Sequence, residues 1–385
     1  MFIRSKRPLT KRPAFILLIL LSLFLTACGT GVSNTNWPGL TADGDIVYVA
    51  YGTNILAYDV IANDVVWTFP DPENAQSTLF YYAAPSISDN QIIAGDYGVS
   101  GGFFSPGVIV SIYGLDQNGN LSWPQPQSEL ASDSIVAPPL QANDRVYIGT
   151  ADGSLLALDP SSGEPIDGWQ FEAGHSIWGQ PSFQNNLLYV ASLDKTIYAL
   201  DPNSGDVVWQ QSLGGAAPGK VVVGADLVYV GSFDSRVHAF DATSGDPQWT
   251  TEMAGDWVWG TPTLADDHLY YGDILGNVYA VDAQTGEQVW QEEVDGAVQT
   301  SPTIHNGVVY VASEGNLETN VGSLTAFAAD SGNQLWQEDT VGALYTTPVV
   351  AGDMLIVAPF NNEELLLIGY DFDGNELWTL APPAQ

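Results

Sequence analysis

Few side chains in this sequence are of the kinds that do chemistry, and fewer are spaced to do it. Gly98-Val99-Ser100-Gly101-Gly102 spells a nucleophile elbow, in which a serine hydroxyl is exposed on a sharp strand-to-helix turn. Here the string lies in a glycine-rich stretch inside a strand pattern. Asp371-Phe372-Asp373-Gly374-Asn375-Glu376 opens like a calcium loop but lacks the third acidic position and the distant glutamate that such a loop needs. His175, His238, His268 and His305 have no metal-ligand spacing and fall in different segments. Cys28 is the only thiol. No catalytic constellation and no metal set is expected from these residues.

The elements that would position any site are repeats. Leu200-Asp201-Pro202-Asn203-Ser204-Gly205-Asp206-Val207-Val208-Trp209 reads as a strand end, a tight turn closed by glycine, and a new strand carrying tryptophan. The pattern returns, with local variations, at Trp67, Trp123, Trp169, Trp249, Trp290, Trp336 and Trp378. The spacing is roughly 40 to 46 residues with one longer gap, the length of a four-stranded propeller blade. The Asp accepts hydrogen bonds from its own turn, and the Gly takes a positive φ at no steric cost. Burial of each indole between neighbouring units contributes about 4–6 kcal/mol as an upper bound. β-Branched and aromatic strands follow one another without a helical period after residue 28. The expected fold is all-β: one eight-bladed β-propeller over residues 37–381, with four antiparallel strands per blade. The terminal strands each complete their own blade, so ring closure is expected to rest on packing. Tyr97–Pro106, Glu314–Val321 and Asn361–Glu364 break the regularity of blades 2, 7 and 8, and loops of this kind are where a rigid propeller makes specific contacts.

Aligning the blades on their second strands brings Trp37, Tyr82, Val136, Trp178, Ala217, Trp259, Gln299 and Tyr345 to one position, where each innermost strand begins. Five are aromatic, and they are expected to ring one mouth of the central channel. Three residues on, the column is proline in six blades and Lys220 in blade 5. A cation beside aromatic rings could receive an anionic planar ligand or a peptide carboxylate; equally, the aromatics could plug the channel and Lys220 pair with an acid.

The formal net charge is −36. Five of the nine basic residues lie in the first twelve positions, so the chain from Cys28 onward keeps Arg145, Lys195, Lys220 and Arg236 against 45 acids, a net −41. Nucleic acid is excluded as a partner by that balance. Arg4, Lys6, Arg7, Lys11 and Arg12 precede an apolar run, Ala14–Leu25, too short to span a bilayer comfortably. Leu25-Thr26-Ala27-Cys28 then resembles a bacterial lipobox. The resemblance implies a signal peptide over 1–27, a diacylated (palmitate-bearing) Cys28, a short linker over 28–36, and attachment to the envelope membrane: the outer membrane facing the periplasm in a diderm cell, otherwise the outer face of the cytoplasmic membrane. With Cys28 acylated, no thiol is left for disulfides or catalysis.

The string A-x-D-x-x-[ST]-G-x-x-x-W, in Ala199–Trp209, Ala239–Trp249 and Ala280–Trp290, resembles the tryptophan-docking repeat of the quinoprotein (PQQ) propellers, over about residues 37 to 380. One branch of that group implies PQQ and calcium in the channel, but this chain has no vicinal cysteine pair and no recognisable calcium ligands. The other branch, the lipoprotein propellers of the outer-membrane β-barrel assembly machinery, is similar in length, lipobox and blade number. It implies a monomeric, non-enzymatic scaffold without cofactor, binding envelope proteins or peptides by loops on one face or by adding an extended segment to a strand edge.

Overall fold

The computed structural model describes residues 38–70, 80–88, 91–100, 108–128, 130–360, 362 and 364–382. Cys28 and Trp37 lie outside them, as do residues 101–107 of the blade 2 insertion. The described chain forms eight four-stranded antiparallel sheets and no helix, the eight-bladed propeller expected. The blades occupy residues 39–69, 86–128, 140–172, 182–212, 222–250, 263–293, 303–341 and 349–380. Blade 4 is typical, with strands Ser182–Gln184, Leu187–Ser192, Thr196–Leu200 and Val207–Ser212 joined in order.

Local sequence accounts for these strands. Second and third strands read as near-continuous apolar runs because both faces are covered by neighbouring blades; Leu188, Tyr189 and Val190 are at most 1% exposed. Fourth strands sit at the rim, so Val207 and Val208 are exposed while Trp209 is buried. In blades 3, 4, 6 and 7 the first and second strands are joined by two-residue turns with both residues at positive φ: Asn143-Asp144, Asn185-Asn186, Asp266-Asp267 and Asn306-Gly307. That conformation follows the strand twist, and Asn, Asp and Gly tolerate it best.

The turn before each tryptophan strand is built as the repeat implied. Asp241 Oδ1 accepts from the amides of Thr243 and Ser244, and Asp282 Oδ1 from those of Gln284 and Thr285. The closing glycine does a second job that spacing alone did not show. A Cβ on Gly245 would lie 2.5 Å from Trp209, one on Gly286 2.5 Å from Trp249, and one on Gly163 2.4 Å from Trp123. Each indole lies flat on the glycine turn of the next blade. Its Nε1 donates to a carbonyl of that turn: Trp123 to Pro160 at 2.8 Å, Trp209 to Ala242 at 3.1 Å, Trp290 to Ala329 at 2.9 Å. Seven of the eight tryptophans dock in this way.

The eighth junction differs. Asn63 stands where blade 1 would need the glycine, at φ 56°. Trp378 therefore packs against Tyr58, with ring centroids 5.0 Å apart, and its Nε1 meets Met354 Sδ at 3.2 Å. Among the described residues no strand is shared between blades 8 and 1. The seam is closed by an apolar cluster that includes Val47, Leu56, Met354 and Leu367, with Thr346 Oγ1 donating to Pro38 O at 2.7 Å and Gly352 N to Gly44 O at 3.0 Å.

The turn carboxylates set the acid limit of the fold. Hydrogen bonds donated within their own turns hold Asp116, Asp159, Asp241, Asp282 and Asp371 below the ordinary 3.8. A carboxyl lowered by folding stabilises while ionised, and that contribution is lost as pH falls from the unfolded value through the folded one. Melting temperature is thus expected to stay level from pH 7 to about pH 5 and to drop steeply below about pH 4. At pH 7, 1 M salt should raise it by screening like charges. Calorimetry across pH and salt checks both; a melting temperature that falls on adding salt would show that the acids do not repel one another appreciably.

Candidate functional site

In a blade whose strands alternate direction, the connections between second and third strands leave at the same end as those leading into the next blade. That end carries the mouth column and all three irregular loops; the opposite end carries the regular turns. The loops touch the column. Tyr97, at the start of the blade 2 insertion, meets Tyr82 edge to face at 4.6 Å. In blade 7 the insertion continues the sheet as a hairpin, Val308–Asn316 with Val321–Ala328, and its Glu314 accepts from Gln299 Nε2 at 2.7 Å. In blade 8 Phe360 meets Tyr345 edge to face at 4.9 Å. Burial pushes the Tyr345 phenol up to about 12, and Glu314 beside it adds to this. Ser100 of the elbow string lies in a two-residue strand, Val99–Ser100, paired with Val108–Ile109, rather than at a strand-to-helix turn.

Strand pairing corrects the column at blade 5. Ser182 lies opposite Tyr189 and Val222 opposite Tyr229, so the residue level with Trp178 and Trp259 is Pro218. Ala217 is fully buried, its amide bonded to Ser192 O. Lys220 accordingly stands with Gln180 and Thr261, one place ahead of the prolines, and Val221 takes the proline place. The small Pro218 lets Trp178 and Trp259 reach over it, with ring centroids 6.3 Å apart. Phe233 joins them, 5.0 Å from Trp259 and stacked on Trp257 at 4.7 Å.

The wall below is hydrogen-bonded from blade to blade. Gln180 Nε2 donates to Pro139 O at 2.7 Å, Lys220 N to Thr261 Oγ1 at 2.9 Å, Thr261 N to Ser301 Oγ at 3.1 Å, and Ser301 N to Thr347 Oγ1 at 3.0 Å. Neighbouring walls come close enough for this because glycine precedes the bonded residue: a Cβ on Gly179 would lie 2.3 Å from Gly219 O, and one on Gly260 2.1 Å from Thr300 O.

A set of carboxylates that sequence reasoning missed braces the same end. Asp152, Asp194, Asp234 and Asp273 follow the second strands of blades 3 to 6. Each accepts from a backbone amide about twenty residues earlier: Ser132 at 3.0 Å, Gly174 at 2.8 Å, Gly214 at 3.0 Å and Gly255 at 2.9 Å. Burial raises Asp152, but hydrogen bonds from Ser132, Thr150 and Ser154 outweigh it and hold the carboxyl well below the usual range. His238 Nε2 lies 2.9 Å from Asp234 Oδ2, within hydrogen-bond distance. The recurring Thr150-Ala-Asp152, Ser192-Leu-Asp194 and Ser232-Phe-Asp234 were the available signal.

The described residues do not fit a calcium centre. No three acidic, His or Cys side chains converge as metal ligands among the described residues, and the Asp371 carboxylate is taken by the amides of Asp373 and Asn375 and by Asn375 Nδ2. At the rim, the fourth strand of blade 3 is only Phe171–Glu172, leaving part of Ser154–Leu158 unpaired beside a groove of about 710 Å³ that also holds Trp169 and Tyr198.

No curated protein matches the sequence. Among solved structures, BamB from Moraxella catarrhalis is 25% identical, with a TM-score of 0.59 over 77% of this chain and 84% of that one. The computationally designed Ika8 protein has a TM-score of 0.67 over 90% of this chain and 97% of its own, at 14% identity, a likeness of fold alone. The family model described as outer membrane protein assembly factor BamB matches residues 25–168, 167–258, 233–343 and 317–385, so the chain belongs to the BamB family.

Proposed function

We propose that this protein is a non-catalytic envelope scaffold, anchored through a lipidated Cys28, that assists outer-membrane protein assembly by holding protein partners on the mouth face of its propeller. The observation that carries the reading is that all three irregular loops and the aromatic column share one face and touch one another, while the other face repeats its turns. A catalytic site would concentrate polar groups around one point; a docking face spreads contacts over a rigid platform. Family membership supports the assembly role and a location at the outer membrane. The acidity favours basic or neutral partner surfaces and repels anionic lipid, so the acyl chains must hold the protein at the membrane, as a monomer.

Crosslinking in intact cells, followed by capture of the lipidated protein and mass spectrometry, tests this. A β-barrel assembly component or nascent barrels should be recovered. Leu317→Lys at the exposed tip of the blade 7 hairpin (59% exposed) and replacement of Tyr97–Pro106 by a short turn should each reduce capture without shifting the melting temperature. Full capture by both variants would remove the mouth face from the role. Separately, Cys28→Ser should abolish palmitate labelling and release the protein from membranes; retention in the membrane fraction would refute anchoring at this residue.

A further inference from the structure

Lys220 is the cation this fold treats oddly. The chain has 45 acids, yet among the described residues the Lys220 ammonium meets no carboxylate. Its one acceptor among the described residues is the neutral Gln180 Oε1 at 3.1 Å. The Gln180 amide is itself oriented by its Nε2 bond to Pro139 O, so its oxygen faces the lysine by construction. An ammonium has three donors and no acceptor, so two of its N–H groups remain for something else. Lys220 is half-buried, and that burial lowers its basicity.

What lies above it narrows the something else. Pro218 and Lys220 are two residues apart on the wall, as are Trp178 and Gln180, and Trp259 and Thr261. The tryptophan level therefore sits no more than about 7 Å from the lysine level. The two indoles are in contact, at 6.3 Å between centroids, so a ligand ring rests against them rather than between them.

We propose that this corner of the channel mouth binds a small aromatic carboxylate, its carboxyl accepting from Lys220 Nζ and its ring lying on Trp178 and Trp259. Two or three bonds between ring and carboxyl span the two levels. Inorganic anions would meet the charge but leave the rings unused, and they would face the repulsion of the surrounding acids without that compensation. The site needs no irregular loop, although its two indoles lie on the face proposed to hold partners.

The test is titration of N-acetyl-phenylalanine into the full chain, followed by tryptophan fluorescence and calorimetry, alongside N-acetyl-phenylalanine amide and the variants Lys220→Gln and Lys220→Arg. Expected is saturable binding of the acid, about tenfold or more tighter than the amide, weakened about tenfold by Lys220→Gln and kept by Lys220→Arg, since a charge-assisted hydrogen bond in a part-buried site is worth about that factor. Equal affinity for acid and amide, unchanged affinity in Lys220→Gln, or no saturable signal from the wild type would overturn the proposal. Should Lys220→Gln fail to fold, the comparison of acid with amide on the wild type still decides.

Discussion

Trp209→Ala is expected to lower stability by about 3–5 kcal/mol, the range for emptying a large aromatic site. Trp209 is 8% exposed, lies against Tyr189 and Phe240, and donates to Ala242 O in the next blade. The removal leaves a cavity at a blade junction and takes away one of the two donors to the Ala242 carbonyl, which keeps the Tyr189 hydroxyl at 3.0 Å. Gly245→Ala should also destabilise, for two separable reasons: φ is 76°, and the new Cβ would sit 2.5 Å from the Trp209 ring. Only the second depends on the indole. In the double variant the collision is gone, so the two costs should fall short of additivity by about 1–2 kcal/mol. Trp378→Ala should cost less than Trp209→Ala, because Trp378 is only half-buried and donates to a thioether. Equilibrium unfolding in guanidinium measures all four; strict additivity, or an equal cost at Trp378, would break the account of docking.

Asp273→Ala is expected to cost about 3–5 kcal/mol although it removes a negative charge from a very acidic protein. The carboxylate is fully buried and accepts from the amides of Gly255, Leu275 and Asn277, from Asn277 Nδ2 and from Tyr279 OH, all between 2.9 and 3.1 Å. Truncation takes the acceptor from all of these donors, and the Tyr279 hydroxyl among them is buried. Relief of repulsion is a screened, long-range effect and does not approach that size. Asp273→Asn, which keeps one accepting oxygen, should fall between Ala and wild type. Glu292→Gln, the same charge change at an exposed site, should stay within about 0.5 kcal/mol. If Asp273→Ala and Glu292→Gln behave alike, the latch carries no stability.

The repeat made blade number, strand order and turn chemistry legible, because Asp, Gly and Trp recur at fixed offsets and each has a local reason to be there. What stayed hidden is what joins one blade to the next. Gly245 reads from sequence as a positive-φ residue, which it is; that its missing side chain also makes room for an indole 36 residues earlier belongs to tertiary packing. Asp273 reads as one more turn acid, since nothing local distinguishes an exposed carboxylate from one that braces a connection begun eighteen residues before. The alignment of the column agrees with the strand pairing where proline marks the register, and slipped by one in blade 5, where Val221 replaces proline and Lys220 drew the alignment to itself. Contact of Trp178 with Trp259 depends on Pro218 between them, and so on that register.

The seam between blades 8 and 1 has a consequence for how the ring comes into being. Every blade is contiguous in the chain, so seven junctions can form as soon as the next forty or so residues emerge. The eighth cannot. Val47, Leu56 and Tyr58 bury against Met354, Ile356 and Leu367, some three hundred positions later. Until blade 8 arrives, the open side of blade 1 is a wet apolar sheet face, the kind of surface on which half-made chains aggregate. A growing polypeptide passes through that horseshoe stage, and a holding chaperone would find its hydrophobic handle there, at the first blade to be made.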